Sequence, residues 1–395
     1  MAIVPTRPPL WRDVRVLRVA GQILFAVVVA VVLREIWLNL QYNYDRQGID
    51  TSFDFLDSRA GFGIGEHVID YSPNNDYWRA YFVGLTNTIF LIAIPGVLMA
   101  SVLGLVMGVA RLSTNWLVRK IAQVYVEVFR NTPVVVILVI MYVGVILPLP
   151  AIGGGFHIPG VGYLSNRGAA VSYLKPQDNF LVWLLFVAVG IVAWRFVSRR
   201  RRRIEEETGK ETYPNLFGFG VFLLIAVAGM LALSGPIDIK TPSITERGFG
   251  YEGGLQASPE LAAVVIGLVL YTGAFIAEII RGSIQAVSKG QKEAAEALGL
   301  RPIQQLRFVV LPQALRIALP PINSQYLNLT KNSSLAVVIG FPDLAGISKT
   351  MINQSGRSFQ VLLLILVTYL ALSLVISTFM NAINKSITSK GARRG

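Results

Sequence analysis

Residues 293–312 read EAAEALGLRPIQQLRFVVLP, a polar and charged stretch set between two long apolar runs. Runs of about 20 apolar residues are long enough to cross a bilayer, so a charged segment wedged between two of them sits at a membrane face. Its opening block, Glu293, Ala294, Ala295 and Glu296, is built from strong helix formers. Small alanines let such a helix lie deep in a groove. Gly299 is suited to end the helix, and Glu293 and Glu296 suit the positive end of a helix dipole. Leu311 and Pro312 then open the next apolar run. An unpartnered alanine-rich surface helix has much the same composition. Composition alone favours that reading over a helix that docks in a groove.

Composition agrees with a membrane setting. The chain has 395 residues, of which 53% are hydrophobic and 15% charged, against about 25% charged in soluble domains. The net charge of +13 raises nucleic acid as a partner, but the basic residues cluster in short segments between apolar runs. That pattern is the positive-inside bias of a polytopic membrane protein. There are no cysteines, so disulfides, thiolate metal sites and cysteine nucleophiles are excluded. The basic amino-terminal stretch and its apolar run lack a small-residue cleavage pattern, which predicts an uncleaved first span.

Eight segments qualify as spans: 17–38, 80–110, 122–148, 180–198, 215–234, 259–285, 315–340 and 359–384. Arg7, Arg12, Arg15 and Arg18 place the amino terminus inside, and the acidic loop at 40–79 falls outside. Arg111, Arg119 and Lys120 mark an inside loop, as do the five consecutive arginines Arg199 to Arg203. The loops at 149–178, 235–258 and 341–358 are expected outside. The segment at 293–312 is expected inside, with Lys385, Lys390, Arg393 and Arg394 bringing the carboxyl terminus back. The five arginines also suit contact with anionic membrane lipid, and no nucleic acid is expected as a partner.

The spacing at 293–312 resembles the EAA signature of the membrane subunits of bacterial ABC importers, with Glu293, Ala294, Ala295, Gly299, Leu311 and Pro312 in the matching positions. Three further blocks are similar to the polar-amino-acid branch of that family: Leu85-Thr-Asn-Thr-Ile89, Phe129-Arg-Asn-Thr-Pro-Val134, and Lys331-Asn-Ser-Ser-Leu-Ala336 followed by Asp343-Leu344. With Tyr271 to Gly282, the resemblance covers about 80–148 and 259–385. It implies an all-α integral membrane protein of about eight transmembrane helices. The core would be a type I importer permease of five helices, enlarged by an extra first helix and an inserted helix pair. This layout resembles permeases for glutamate, glutamine, aspartate and asparagine, or for L-amino acids generally. The segments that follow are 1–79 (tail, first helix and outer loop), 80–148 (core helices 1 and 2), 149–258 (inserted loop and helix pair), 259–385 (core helices 3 to 5 with the coupling loop) and 386–395 (tail).

The resemblance implies a bacterial inner-membrane protein with both termini cytoplasmic. Its implied partners are an ABC ATPase dimer, a second permease chain that is related but non-identical, a periplasmic amino-acid-binding protein and membrane lipid. The chain itself lacks a Gly-x-x-x-x-Gly-Lys-Ser/Thr loop, so ATP and Mg are expected on the partner ATPase and no cofactor on this chain. No catalytic residue and no metal site are expected, since His67 and His157 stand in different loops.

Polar residues inside spans are costly and face a protein interior or a water-filled path. Asn87, Thr88, Glu278, Lys331, Asn332, Ser333 and Ser334 are therefore the substrate-pathway candidates. Asn332, Ser333 and Ser334 offer donors and acceptors to a zwitterion if the helix unwinds there, and Lys331 offers a charge for a carboxylate. Pinning a broken helix to its neighbours explains the same residues. Asn87 and Thr88 suit helix–helix hydrogen bonds equally well. Glu278 with Arg281, and Glu127 with Arg130, have the spacing of local ion pairs. Thr132-Pro133 is expected to start or kink a helix, and Ala100, Gly104 and Gly108 to form a close-packing stripe. An ion-coupled secondary transporter also uses midplane polar residues, but it has no use for a docking helix. An integral membrane enzyme finds no nucleophile–base pair to support it.

Overall fold

A computed structural model describes residues 11, 13–48, 52–245 and 250–392. Arg7, Arg12, Arg393 and Arg394, used above for orientation, lie outside the described residues. Among the described residues six helices are long and apolar enough to cross a membrane, and up to eight spans result if each of two bent helix pairs counts as one.

The first helix, α1 (Val14–Gln47), is exposed along its length and meets the rest of the chain through Trp37 and Tyr44, whose rings contact Phe359. It runs well into the segment assigned to an outer loop. A second continuous span runs from Tyr77 to Ala110, as α2 (Tyr77–Thr86), a π-helical stretch Asn87–Ala93 and α3 (Ile94–Ala110). Asp76 caps it, its side chain accepting from the Arg79 backbone N–H.

The expected single span 122–148 is broken. Helix α4 (Trp116–Asn131) ends at Thr132-Pro133, and α5 (Val134–Val139) continues as a π-helical stretch to Ile146. The two halves meet at 111°. Thr132 is extended, the conformation that a following proline imposes, and Pro133 has no N–H to carry the helix through.

The inserted pair is α6 (Phe180–Thr208) and α7 (Pro214–Ala232). They pack closely on each other, with Gly190 against Phe222, Gly218 against Trp194 and Gly229 against Phe186. Helix α8 (Pro259–Gln285) is the most buried of the spans. It is followed by α9 (Lys289–Ala297) and α10 (Pro302–Gln305), then by a π-helical stretch Leu306–Val310 leading into α11 (Leu311–Asn332). The helix does not unwind at Asn332 to Ser334, the condition under which those residues would offer freed backbone groups to a zwitterion. Instead α11 tightens into a 3₁₀ stretch, Ser333–Ile339, which closes at Gly340. The expected outer loop 341–358 is mostly helix, α12 (Leu344–Ser355), set at 51° to the preceding one. Asp343 caps it by accepting from the Gly346 N–H at 2.8 Å. Helix α13 (Ser358–Ala392) completes the chain.

The all-α expectation needs one addition, because the outer loops fold together. Strands β1 (Phe156–Ile158), β2 (Gly162–Ser165) and β3 (Gly168–Val171) form an antiparallel meander joined by β8 (Leu255–Ala257). Strand β4 (Tyr173–Pro176) pairs with β5 (Ile237–Lys240), and β6 (Ser243–Ile244) with β7 (Tyr251–Glu252). These strands cap the pole where α6 and α8 begin and α7 ends. The core lies beneath, where Ile92 of the second span, Leu138 of α5, Ile146 of its π-helical continuation, Leu268 of α8 and Phe341 of the link before α12 pack together.

Candidate functional site

At the pole opposite the β-cap, the segment between α8 and α11 forms a hook. Helix α9 ends in a reciprocal pair of backbone bonds, Gly299 N–H to Glu296 O at 2.8 Å and Leu300 N–H to Ala295 O at 3.2 Å. That closure requires a left-handed residue at the turn, and Gly299 supplies it with φ +72. The helix begins at Lys289, so Glu293 lies in its middle and Glu296 in its last turn. The expected placement of both acids at the positive end is thus corrected. Glu293 instead faces Lys289 one turn back, at 3.5 Å, with both side chains largely in solvent.

The hook is anchored on one side and bare on the other. Ala295 is buried, and Val287, Val310 and Ala314 form a small cluster beneath the hook with Ile284. Gln313 Nε2 donates to Gln291 Oε1 at 3.1 Å, tying the start of α11 to α9. Pro312 lies in the first turn of α11, behind Leu311. Outward, Ala294 is exposed, and Leu298 (79%), Ile303 (78%) and Phe308 (61%) present their side chains to the exterior. Large apolar side chains at the tip of a charged loop are a contact surface in search of a partner.

Immediately above the hook, Glu278 of α8 is the centre of a charge cluster. It accepts from Arg111 at the end of α3 and from Arg281 one turn along its own helix. Arg130 of α4 approaches it at 3.8 Å, with its guanidinium 5.3 Å from the centre of the Phe275 ring. Arg281 also donates to Gln285 Oε1 at 2.6 Å. The Glu278–Arg281 pair forms as the spacing indicates. The Glu127–Arg130 pair does not: Glu127 accepts from Gln123 at 2.7 Å, and the break at Pro133 leaves Arg130 free to turn toward α8. One carboxylate thus ties together the ends of α3, α4 and α8.

The other pathway candidates lie toward the opposite pole. Asn87 and Glu278 are separated by the π-helical stretch and the whole of α3 up to Arg111, roughly 35 Å at 1.5 Å per residue. Asn87 and Thr88 are fully buried. The Asn87 amide donates to the carbonyls of Glu66 at 2.8 Å and Pro342 at 2.9 Å, and accepts from Val68 N–H at 3.2 Å. Thr88 Oγ1 accepts from Leu344 N–H at 3.0 Å. These two residues therefore satisfy the backbone groups freed where the chain breaks before α12. Ser333 and Ser334 donate to the carbonyls of Thr330 and Lys331, each at 2.7 Å. Ser333 is buried, Asn332 and Ser334 are half-buried, and Lys331 is exposed. The structure brings Asn87 and Thr88 against the segment after Ile339 and keeps Glu278 apart from them.

A cavity of about 920 Å³ lies beneath the β-cap. Its polar lining comes from Glu66, His67, Arg167, Glu260 and Lys349, none of them among the pathway candidates. This size is in the range of small-molecule sites. Glu66 accepts from Ser258 Oγ at 2.6 Å and Ser258 N–H at 3.3 Å, and Glu260 accepts from Tyr142 Oη at 2.6 Å. Burial raises the Glu66 carboxyl above its ordinary pKa, against the lowering effect of its bonds to Ser258. The sequence carries no signal for this lining, because its members come from an acidic loop, the turn between β2 and β3, the start of α8 and the middle of α12.

Residues 100–389 match the family model described as binding-protein-dependent transport system inner membrane component. The chain is 38% identical over 365 residues to the general L-amino acid transport system permease protein AapQ of Rhizobium johnstonii, covering 92% of this chain and 90% of that one. It is 36% identical over 391 residues to the glutamate/glutamine/aspartate/asparagine transport system permease protein BztB of Rhodobacter capsulatus, covering 90% of each. A solved structure titled as an amino acid ABC transporter with histidines aligns over 78% of this chain and 95% of its own, at 20% identity and a TM-score of 0.47.

Proposed function

The chain belongs to the family of binding-protein-dependent transport system inner membrane components, and we propose that it is the permease subunit of an ABC importer for polar L-amino acids. The observation that carries the reading is the hook. A short helix, closed by Gly299 and anchored by Val287, Val310 and Ala314, presents Leu298, Ile303 and Phe308 outward. It follows α8, the most buried span, so a push on it reaches the core as a rigid displacement.

In this reading the hook faces the cytoplasm and is gripped by an ATPase dimer that holds ATP and Mg. The β-cap and the cavity beneath it face the periplasm, where an amino-acid-binding protein delivers its load. A second permease chain completes the pathway, and both termini are cytoplasmic in the inner membrane. The relatives' names, general L-amino acids in one case and acidic amino acids with their amides in the other, support the substrate class.

The chemistry required is binding and repacking, without a covalent step. ATP binding need only favour one of two packed states, and it does so by differential contact at the hook. Glu278 sits where such a change is transmitted. Its bonds to Arg111 and Arg281, with Arg130 nearby, hold three helix ends together just above the hook.

The test is the double variant Glu293→Lys/Gly299→Trp in the reconstituted complex. Glu293 is exposed, and a side chain at Gly299 meets no neighbour but strains the left-handed turn that closes α9. The damage is therefore confined to the hook, and the subunit should still insert while ATP hydrolysis loses its coupling to uptake. Normal ATP-driven uptake in that variant refutes the docking role. Uphill uptake by the isolated chain on an ion gradient alone would refute the importer reading itself.

A further inference from the structure

The foot of the inserted hairpin carries a cluster that transport does not use. Of the five consecutive arginines at 199–203, two are committed to closing the turn between α6 and α7. Arg201 donates to the Thr212 carbonyl at 2.8 Å and lies 3.4 Å from the centre of the Phe217 ring, while Thr212 Oγ1 donates back to the Arg201 carbonyl at 2.9 Å. Arg202 reaches Asn215 Oδ1 at 3.4 Å. Arg199, Arg200 and Arg203 form no ion pair among the described residues. With Phe196 they line a groove of about 400 Å³.

The same helix continues this groove as an apolar stripe. At about 100° per residue, Leu181, Leu185, Val189, Val192 and Phe196 fall on the same side of α6 as Arg199, Arg200 and Arg203. All five apolar side chains are more than half exposed. The opposite side faces α7, where Gly190 packs on Phe222 and Gly218 on Trp194 and Ser198. Helix–helix seams in membranes are built on such small residues. The stripe has none, which is the character of a surface that meets acyl chains rather than another helix. From Leu181 to Phe196 it rises roughly 22 Å, more than the hydrocarbon depth of one leaflet, about 15 Å. Since α6 starts at the β-cap, its arginine end lies on the side of the hook.

We propose that this face of α6 binds an anionic phospholipid. The headgroup phosphate sits in the groove between Arg199, Arg200 and Arg203, and an acyl chain lies along Phe196, Val192 and Val189. Guanidinium groups suit the headgroup because their forked donors match phosphate oxygens two at a time and are weakly hydrated. The site is independent of which solute the protein carries.

The test uses the full-length chain with its co-purifying subunits, equilibrated with equimolar phosphatidylcholine and phosphatidylglycerol vesicles and then counted for retained lipid by native mass spectrometry. Phosphatidylglycerol is expected in excess over phosphatidylcholine. Arg199→Gln/Arg203→Gln should lower that excess by about 25-fold, at about fivefold per basic residue. Lys120→Gln/Lys385→Gln removes equal charge from exposed positions on other helices and should leave the excess intact. Arg199→Lys/Arg203→Lys should fall between wild type and the glutamine pair. Equal loss in the control pair, no loss in the glutamine pair, or equal retention of both lipids would overturn the proposal. So would displacement of the lipid by inorganic phosphate, or cross-links placing another protein chain over Val192 and Phe196.

Discussion

Helices α3 and α8 meet along Gly104 and Gly108, and replacing Gly104 with Ala should force them apart. A Cβ at Gly104 would lie 2.5 Å from Ile276 Cγ2, 2.6 Å from Ile276 Cβ and 3.0 Å from the Gly273 carbonyl. Carbon atoms rest at about 3.5–4.0 Å, so the overlap is about 1 Å. Ile276 is buried at 1% exposure and its Cβ is fixed to the α8 backbone, which leaves no rotamer escape. Overpacking of this kind costs about 1–3 kcal/mol. Because the Ile276 Cβ cannot move, the upper part of that range, about 2–3 kcal/mol, applies. The better helix propensity of alanine returns about 0.5–1 kcal/mol, so the net loss is about 1–2.5 kcal/mol, or roughly 5- to 70-fold in the folded ratio. Gly282 provides the internal control. It also lies inside α8, but a Cβ there meets nothing within 4 Å, so Gly282→Ala should gain about 0.5–1 kcal/mol. The two alanine variants should move in opposite directions in reversible unfolding in mixed micelles. A Gly104→Ala protein as stable as wild type would mean that α3 and α8 do not share this seam.

Two further outcomes follow from the charge cluster and the cavity. Glu278→Gln leaves Arg111, Arg130 and Arg281 facing one another without their carboxylate. Removing one partner of a fully buried pair costs about 3–5 kcal/mol, and the quarter-exposed Glu278 should cost less, about 1–2 kcal/mol after solvent screening. Thermal unfolding and uptake should both report the loss, and unchanged values in both would remove the cluster's structural role. Glu66 has a carboxyl pKa raised above 4.5 in the folded chain, chiefly by burial. The folded state therefore holds its proton longer than the unfolded one, and stability falls as pH climbs from about 4.5 through the raised value. Glu66→Gln removes this dependence, so its stability relative to wild type should improve across that window as pH rises. A variant-minus-wild-type difference that is flat with pH would contradict the shift.

Much of this architecture is legible from local rules. Apolar run length places α1, α6, α7, α8 and α13 within a turn or two at most ends, with α1 and α6 running on into polar residues. Thr132-Pro133 marks the break between α4 and α5 because proline cannot donate and restricts the residue before it. Gly299 marks the end of α9 because a left-handed turn closes there. The Glu278–Arg281 pair is readable because i and i+3 share a helix face. Glu293 was misplaced for an equally local reason: Ser288 starts the helix earlier than the Glu-Ala-Ala block suggests.

The candidates near Asn87 and Ser333 show where local reading stops. A buried amide is equally consistent with a pathway and with a structural bond until its partners are known, and those partners, Pro342 and Glu66, lie far away in sequence. The same holds for Arg130, whose near neighbour Glu127 loses to Glu278 once the helix bends at Pro133.

The amino-acid sequence alone determined that this chain is a multi-span membrane protein with a charged hook between α8 and α11, because apolar length, helix formers and turn residues act over a few positions. Tertiary structure alone decided that β3 pairs with β8 across the whole inserted hairpin, that Glu278 gathers arginines from three helices, and that Glu66, Arg167 and Lys349 line one cavity. Each of those outcomes is a choice among distant partners with similar chemistry. Packing geometry, rather than propensity, makes that choice.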